Sequence, residues 1–541
     1  MTDTPLVGST WLRRDLRDAP RAVWYAVALH LLLLVVYTTL QPTYRGLDEV
    51  AHVAMVLTVP SPLDWPAPGA KLVDDRVRDT FGDAGWDGIP TRRLAAGDAL
   101  PKADRKTFLE AGATDLPIEA NQMVQHPPLY YLVTRGVLDA IPHSENWPFD
   151  RQVALMRFLS LLFVVPLPLL CWLAARRLNL PPPAGVVAAF APLAVPGLTR
   201  VASSVSNDSL LILAVAAAGV LSMAVAAGDL RRRTSVALGV VSAVAMLTKG
   251  LALVLPVVVV AAYAAAAFRA VRPRTVLLPA SVATLLTVGL AGGWYVQNVR
   301  RFGSVQPNGY DGGVLPYPRR PGGGLAEWLP GYVNQMFFRF WSALGQPEPP
   351  QLPHALCEAL SLAVVALALL ALATARGHRL RVVVALLPLA GVLLLVAGAS
   401  YRNYQTYDRF VGVQGRYLYP AVAGLAAVVA LGLSRLAGRW GGGLPVVVLA
   451  GAGVMQLLGM HAMLVTYWTP PDAPENLVSG LGSLQAWSPL PARMVQILWV
   501  LTLAVALLTA AGTVRMVRRL RPGRAPRILP LGPTADREFA A

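Results

Sequence analysis

Leu31-Leu32-Leu33-Leu34-Val35-Val36 lies inside an apolar run from about Ala22 to Leu40, and Gly46-Leu47-Asp48-Glu49-Val50-Ala51-His52 follows shortly after its end. At 1.5 Å of rise per residue, such a run can cross the roughly 30 Å of hydrocarbon in a bilayer. Arg13, Arg14, Arg17 and Arg21 precede it, as basic residues precede a signal peptide's apolar region. The run exceeds the roughly 7–15 residues usual for such a region, and Gln41-Pro42-Thr43-Tyr44 offers no small-residue exit, so it reads as a retained first span. Two adjacent carboxylates and a histidine at its mouth need a reason. A carboxylate costs roughly 2.5–3.5 kcal/mol at the centre of a spanning helix on insertion scales, and less toward the interface.

The remaining composition agrees with a membrane protein. Of 541 residues, 55% are hydrophobic and 14% charged, and the mean hydropathy is +0.51, which together predict an all-α polytopic chain. A net charge of +17 would point to nucleic acid in a soluble domain. Here the arginines cluster in short links between apolar runs, the positive-inside pattern, and no nucleic-acid partner is implied. Lysine occurs only at Lys71, Lys102, Lys106 and Lys249, a bias attributable to a GC-rich genome and in keeping with a bacterial source. Cys171 and Cys357 stand far apart in or beside apolar runs, so neither a disulfide framework nor zinc-ligand spacing is present.

If the N-terminal segment, 1–21, is cytoplasmic, each arginine cluster should return to that side. Runs from about Val153 to Ala175 and Ser209 to Ala227 end at Arg176-Arg177 and Arg231-Arg232-Arg233, so an outward crossing must lie between them. Only the short, proline-broken stretch Ala184 to Leu198 can supply it, and broken spans are tolerated where protein or a wet cavity surrounds them. The same parity folds Ser235 to Phe268 into a hairpin at Thr248-Lys249-Gly250, because Arg269, Arg272 and Arg274 follow it. Further runs (Val276 to Tyr295, Leu356 to Thr374, Val382 to Ala399, Leu418 to Leu433, Leu444 to Thr466, Val495 to Val514) bring the expectation to about twelve spans with both termini inside. The transmembrane domain is then 22–520, with external loops at about 41–152, 297–355, 400–417 and 468–492, and a Pro- and Arg-rich tail, 521–541, expected to be disordered. In the first loop, His126-Pro127-Pro128 opens a helix whose Leu129, Leu132, Val133, Val137 and Ile141 recur at helical spacing, as in a helix lying on the membrane.

Parity also gathers polar residues on the external side, among them Arg157, Asn207, Asp208, Lys249, Arg402, Arg416 and Tyr417. Cations kept against the positive-inside bias point to an anionic ligand held by guanidinium forks, or else to arginines that snorkel or pair with loop carboxylates such as Asp311 and Glu348. If the segment after Gly46 is helical, Asp48 and His52 share a face at i,i+4, with Glu49 on an adjoining one. Such a face could take a proton from a hydroxyl, hold a divalent metal, or merely cap a juxtamembrane helix.

The acidic dyad after the first span, the His126-Pro127-Pro128-Leu129-Tyr130-Tyr131 helix closing a long first loop, and Arg157-Phe158-Leu159-Ser160 resemble the GT-C superfamily of membrane glycosyltransferases. A bacterial branch of predicted membrane proteins of unknown function, with a DE-x-A-H element, is the nearer resemblance. It extends to Ser203-Ser204-Val205-Ser206-Asn207-Asp208-Ser209, Leu247-Thr248-Lys249-Gly250 and Gly415-Arg416-Tyr417-Leu418-Tyr419-Pro420, and so covers about 46–420.

The resemblance implies a GT-C-like bundle in the bacterial plasma membrane. It implies transfer of a sugar from a polyprenyl-phosphate donor to an envelope glycan, lipid or protein acceptor at the external face. Asp48 would be the base, Glu49 its support, and Arg416 and Lys249 the donor phosphate's partners. Arg157, Asn207, Asp208 and Tyr417 would contact substrate, and His126 substrate or metal. Metal dependence varies in that superfamily, so a divalent cation (Mg or Mn) on His52 with Asp48 is an option rather than a requirement. No large C-terminal soluble domain follows, unlike several members, which leaves the acceptor to the first loop and to about Arg300 to Pro353. There Gly-Gly and Pro-Pro pairs imply a mobile cover, and Tyr310, Trp328, Tyr332 and Trp341 are candidates for stacking on sugars or for membrane anchoring. No Gly-rich phosphate loop beside a strand pattern calls for a nucleotide. Competing readings are a transporter or flippase, which would place its carboxylates near mid-membrane, and a non-catalytic envelope-polymer assembly protein.

Overall fold

The computed structural model describes residues 11–87, 92–116, 119–268, 272–311, 314–344, 351–470 and 477–519. The expectations placed on Arg269, Glu348, the Pro-Pro pair 349–350 and the tail 521–541 lie outside them. The chain is all-α, with no strand ladder among the described residues. A short α1 (Trp11–Arg17) precedes the first span, α2 (Arg21–Leu40), and a folded cap carries α3 (Glu49–Leu57), α4 (Asp75–Asp79) and α5 (Leu129–Ala140). The bundle continues through α6 (Phe149–Val164), α7 (Leu167–Arg177), α8 (Pro182–Phe190), α9 (Pro196–Ala202), α10 (Asp208–Ala226), α11 (Arg232–Met246), α12 (Leu255–Ala267) and α13 (Leu277–Phe302). It closes with α14 (Leu325–Trp341), α15 (His354–Thr374), α16 (Arg379–Tyr407), α17 (Val422–Ala437), α18 (Leu444–Trp468), α19 (Leu477–Trp487) and α20 (Ala492–Arg519).

Among the described residues, ten stretches are long and apolar enough to cross a membrane, and the pair around α8 and α9 adds an eleventh, bent by 66°. Pro196 explains the bend: it has no N–H for the preceding turn, and Val195 before it is held extended at φ −119°. Charge parity asks for one crossing more than these eleven, and the fifteen-residue α11, which is not among them, stands at that place in the chain. It turns back into α12 through Thr248, Lys249 and Gly250, where Lys249 is extended and Gly250 lies so close to the Gln306 side chain that a Cβ would overlap it.

The two ends of the bundle differ chemically. At one end the arginine-bearing links meet: Trp11 Nε1 donates to Asp229 at 2.6 Å, Asp15 pairs with Arg177, and Arg381 Nη1 donates to the Arg177 carbonyl at 3.0 Å. At the other end lie the exit of α2, the start of α10 and the segment before α17, which carry Gln41, Asp208 and Arg416. Mostly buried α10 forms the bundle's axis, whereas α13, α15, α16, α18 and α20 present Leu285, Leu369, Leu394, Leu457 and Leu503 outward, as lipid-facing helices do. Gly424 and Gly432 let α17 approach the backbones of α16 and α15 so closely that a Cβ at either would strike a carbonyl.

The first loop is a small domain with its own apolar core of Tyr44, Val53, Trp65, Val77, Phe108, Tyr130, Tyr131 and Phe149. Helix α5 turns Tyr130, Tyr131, Thr134 and Leu138 into it and leaves Leu132 and Val133 exposed, so its apolar periodicity serves two faces. The stretch expected as a mobile cover contains the packed helix α14. Trp328, Tyr332 and Trp341 are buried there: Trp328 stacks on Tyr332 at 4.7 Å, the Tyr332 hydroxyl donates to the Leu393 carbonyl at 2.8 Å, and Trp341 Nε1 donates to Ser361 at 2.9 Å. These three rings are committed to the core because their indole and phenol donors found partners on α15 and α16.

Candidate active site at the cap of the bundle

Helix α3 begins at Glu49, one turn later than a helix running from Gly46 would. Asp48 sits just before it in the left-handed region (φ 58°), a conformation that few non-glycine residues adopt and that bends the chain sharply. The His52 N–H still reaches the Asp48 carbonyl at 3.1 Å, so the two residues stay close while their neighbour Glu49 is turned away.

Glu49 faces Arg157 of α6. Arg157 Nε and Nη2 donate to the two carboxylate oxygens at 2.8 and 2.6 Å. Its other N–H groups reach the carbonyls of Thr38 (3.1 Å), Gln41 (2.6 Å) and Pro42 (2.8 Å), which occupies all five guanidinium donors. The Thr38 carbonyl belongs to the last turn of α2 and those of Gln41 and Pro42 to the chain just beyond it, so Arg157 ties the exit of the first span to the dyad. Glu49 also accepts from Val205 N–H at 3.0 Å and Gly46 N–H at 3.2 Å. Burial alone would raise its pKa, but Arg157 outweighs that and holds it below the usual carboxylate range.

Asp48 faces the opposite way, into a row of charges. Its Oδ2 accepts from Arg416 Nη2 at 2.6 Å, Arg416 Nε lies 3.8 Å from Asp208 Oδ2, and Asp208 Oδ1 accepts from Lys249 Nζ at 2.6 Å. The Tyr417 ring lies 5.2 Å from Lys249 Nζ and 5.6 Å from the Arg416 guanidinium carbon. Asn207 Nδ2 donates to the Thr248 carbonyl at 3.3 Å, fixing the hairpin that carries Lys249 against the start of α10. Four elements separated by up to 368 positions thus converge on one alternating line of two anions and two cations.

The match to a family model joins this geometry to a lineage. It spans residues 31–425, which includes every side chain of the row. The chain belongs to the family described as "Predicted membrane protein (DUF2142)". The matched region runs from within α2 to the first turn of α17 and leaves α18 to α20 outside. No curated protein matches the chain. Among solved structures, the chain is similar to two GT-C glycosyltransferases. ArnT from Cupriavidus metallidurans bound to undecaprenyl phosphate is 17% identical, with 91% of this chain and 76% of that one covered and a TM-score of 0.43. The Archaeoglobus fulgidus oligosaccharyltransferase AglB, in complex with an inhibitory peptide and a dolichol-phosphate, is 13% identical, with 94% and 56% covered and a TM-score of 0.37.

In this DUF2142 chain the two histidines near the row are neutral at ordinary pH. Burial pulls His52 down to about 4, against the opposing charge of Asp48, and places His126 well below its usual value. His52 Nδ1 pairs with the Tyr131 hydroxyl at 3.0 Å, while His126 Nδ1 has no hydrogen-bond partner. Arg416 Nη1 is likewise buried without one. Burial on its own would raise Asp48, but Arg416, and after it His52 and Lys249, hold its carboxyl below the usual range.

Two cavities adjoin Asp48. One, of about 440 Å³, is lined by His52, His126, Lys249, Arg402, Arg416 and Tyr417 and runs to Leu251, Leu253, Leu395 and Val396 on the spans. The other, of about 580 Å³, lies beside Tyr44, Arg45, Trp86 and Tyr467. Asp48, Gln122 and Tyr310 line both. The Tyr310 hydroxyl donates to Gln122 Oε1 at 2.6 Å, and Gln122 Nε2 donates to Asp48 Oδ1 at 3.3 Å. The sequence offered no handle on Gln122, which opens a short 3-10 turn, or on Arg45 and Trp86, which lie in loop without period or motif.

Divalent metal fits this donor set poorly. Among the described residues no group of three or more His, Cys, Asp or Glu side chains is placed to hold one. Asp48 is engaged by Arg416 and Gln122, and His52 Nδ1 by Tyr131.

Proposed function

We propose that the protein is a GT-C-type glycosyltransferase that moves a sugar from a polyprenyl-phosphate donor to an envelope acceptor at the external face of a bacterial plasma membrane. The observation that carries this reading is the Asp48–Arg416 pair at the wall of a cavity that is cationic at one end and apolar at the other. A phosphate on a long hydrocarbon chain matches both ends: Arg416, Lys249 and the neutral His126 face the head, while Leu251, Leu253, Leu395 and Val396 continue toward the bilayer.

The charge row is balanced without a ligand, so an arriving phosphate gains most by replacing a carboxylate on a cation. Asp48 is the one that can leave: its side chain is 17% exposed, against 3% for Asp208. Arg416 Nη1, which lacks a partner, is a donor available to the newcomer, and the unpaired His126 Nδ1 is a second one in the tautomer that carries its proton there. Once Arg416 turns to phosphate, Asp48 loses the charge that holds its pKa down and becomes a better base. The acceptor hydroxyl then gives its proton to Asp48 as its oxygen bonds to the anomeric carbon. The anomeric C–O bond to phosphate breaks with its electron pair, and the departing polyprenyl phosphate is stabilised by Arg416 and Lys249. Glu49 and Arg157 act by holding the left-handed bend at Asp48 against the end of α2.

A transporter would place its carboxylates in mid-span, whereas Asp48 lies between α2 and α3, at the end of the bundle opposite the arginine links. The deciding experiment incubates purified protein with radiolabelled polyprenyl-phosphate sugars and envelope acceptors, with Asp48→Ala as control. Transfer that depends on Asp48 supports the reading; no transfer from any donor, or full transfer by the variant, refutes it.

A further inference from the structure

We infer that the 580 Å³ cavity on the far side of Asp48 is the acceptor site, and that the acceptor it takes is an uncharged carbohydrate. The inference rests on the reading of the 440 Å³ cavity as the donor site. In a single displacement the nucleophile approaches the anomeric carbon from the side opposite the leaving phosphate, and the base must reach that nucleophile. Asp48 has a cavity on each side, so a donor in one and an acceptor in the other would meet at its carboxylate.

The lining argues for a sugar. Arg45 is stacked with its guanidinium carbon 4.3 Å from the Trp86 ring centre while Nη2 donates to the Gly85 carbonyl at 3.1 Å, and the Tyr44 hydroxyl is fixed on Thr80 at 2.6 Å. With Tyr310, Tyr467 and Glu119 these groups line the cavity with aromatic rings beside anchored hydrogen-bonding groups, the mixture that suits a ring with apolar C–H faces and hydroxyl edges. A lipid tail would find a better match in the groove between α2, α18 and α20, lined by Leu29, Leu33, Val446, Leu449, Leu457 and Leu503. An anionic head group would meet Glu119 and Asp48 as well as Arg45.

The wall between the cavities suits an entering hydroxyl. The Gln122–Asp48 bond of 3.3 Å is long, and a sugar O–H could displace it and donate to Oδ1 itself. Tyr310 cannot drift far, because Gly309 is packed on the Gln122 backbone with no room for a Cβ and its carbonyl accepts from Gly69 N–H at 3.0 Å.

The test uses full-length protein in nanodiscs and two probes. Saturation-transfer NMR is recorded with methyl glycosides and disaccharides of glucose, mannose, galactose and arabinofuranose, and binding of undecaprenyl phosphate is titrated separately. At least one glycoside should receive saturation at its ring protons, and Trp86→Leu and Glu119→Gln should each weaken its binding about tenfold or more, the equivalent of 1.4 kcal/mol. Undecaprenyl phosphate binding should be unchanged in both. Because Glu119 is exposed, Glu119→Gln tests the site without disturbing the cap's core. Absence of saturation transfer to every glycoside, or glycoside binding indifferent to both substitutions, overturns the inference. Undecaprenyl phosphate binding that survives Arg416→Lys intact would instead overturn the donor assignment, while leaving the glycoside result to be judged on its own.

Discussion

Arg416 Nη2 lies 2.6 Å from Asp48 Oδ2, joining the residue after the first span to the segment that opens α17, and the same guanidinium sits 3.8 Å from Asp208. One cation is thus shared between a partly exposed carboxylate and a buried one. This makes the Asp48–Arg416 contact a competitor of any anionic ligand, and that competition has a measurable sign.

Asp48→Asn should abolish most turnover, by about 10²–10⁴-fold for loss of a general base. It should also leave undecaprenyl phosphate bound at least as tightly as in the parent, because Arg416 no longer has to exchange a charged partner. Steady-state kinetics and lipid titration on the same preparation check both halves. A variant that loses lipid binding along with turnover would show that Asp48 helps to hold the ligand.

The pH dependence follows from the same contact. Arg416 holds Asp48 below the usual carboxylate range against the opposing effect of burial. A depressed folded-state pKa means that the pair's contribution to stability is present above the unfolded value of about 3.9 and is lost as pH falls through the folded value. Thermal unfolding of the free protein should therefore drop only below about pH 4, and Asp48→Asn should flatten part of that drop. In the donor-bound enzyme Arg416 is diverted, so the acid limb of kcat should lie at higher pH than the acid limb of kcat/KM. His52, pushed down to about 4, supplies no limb near neutrality.

Glu49 and Arg157 should behave as structure. Their side chains are almost wholly buried and mutually satisfied, so Glu49→Gln or Arg157→Met leaves an uncompensated buried charge, costing about 3–5 kcal/mol. The double variant should cost clearly less than the two single losses added together, since it leaves neither charge stranded. Unfolding in detergent measures the three variants. Strictly additive losses would mean that the contact contributes little.

Part of this arrangement was legible from residue pattern and part was not. Charge parity located the broken crossing around Pro196 and the hairpin at Lys249, because arginine placement and proline chemistry act locally and leave a mark in the chain. The identities of Asp48, Asp208, Lys249 and Arg416 were readable as polar residues stranded beside apolar runs. Their pairing was not, since it is set by tertiary contacts such as those of Asn207 with Thr248 and Gly415 with the α14 backbone. Arg157 reads as a substrate contact in sequence, whereas its donors go to Glu49 and to three backbone carbonyls, and carbonyls carry no residue signature. Trp328, Tyr332 and Trp341 read as sugar-stacking or membrane-anchoring rings for the complementary reason: Ser361, Ser400 and the Leu393 carbonyl, which fix them, belong to other helices.

The sidedness of the membrane assignment can be tested against a clean background, because Cys171 and Cys357 are both buried. Leu63, 92% exposed in the cap, and Ala227, exposed at the far end of α10 beside the arginine links, stand at opposite ends of the bundle. With the arginine links cytoplasmic, Leu63→Cys should react with a membrane-impermeant maleimide in intact cells, and Ala227→Cys only after permeabilisation. Both substitutions are at the surface and should change stability by no more than about 0.5 kcal/mol. The opposite labelling pattern would put Asp48 on the cytoplasmic side, where the proposed external transfer could not occur. Equal labelling of Leu63→Cys from both sides would favour a transporter that alternates its access.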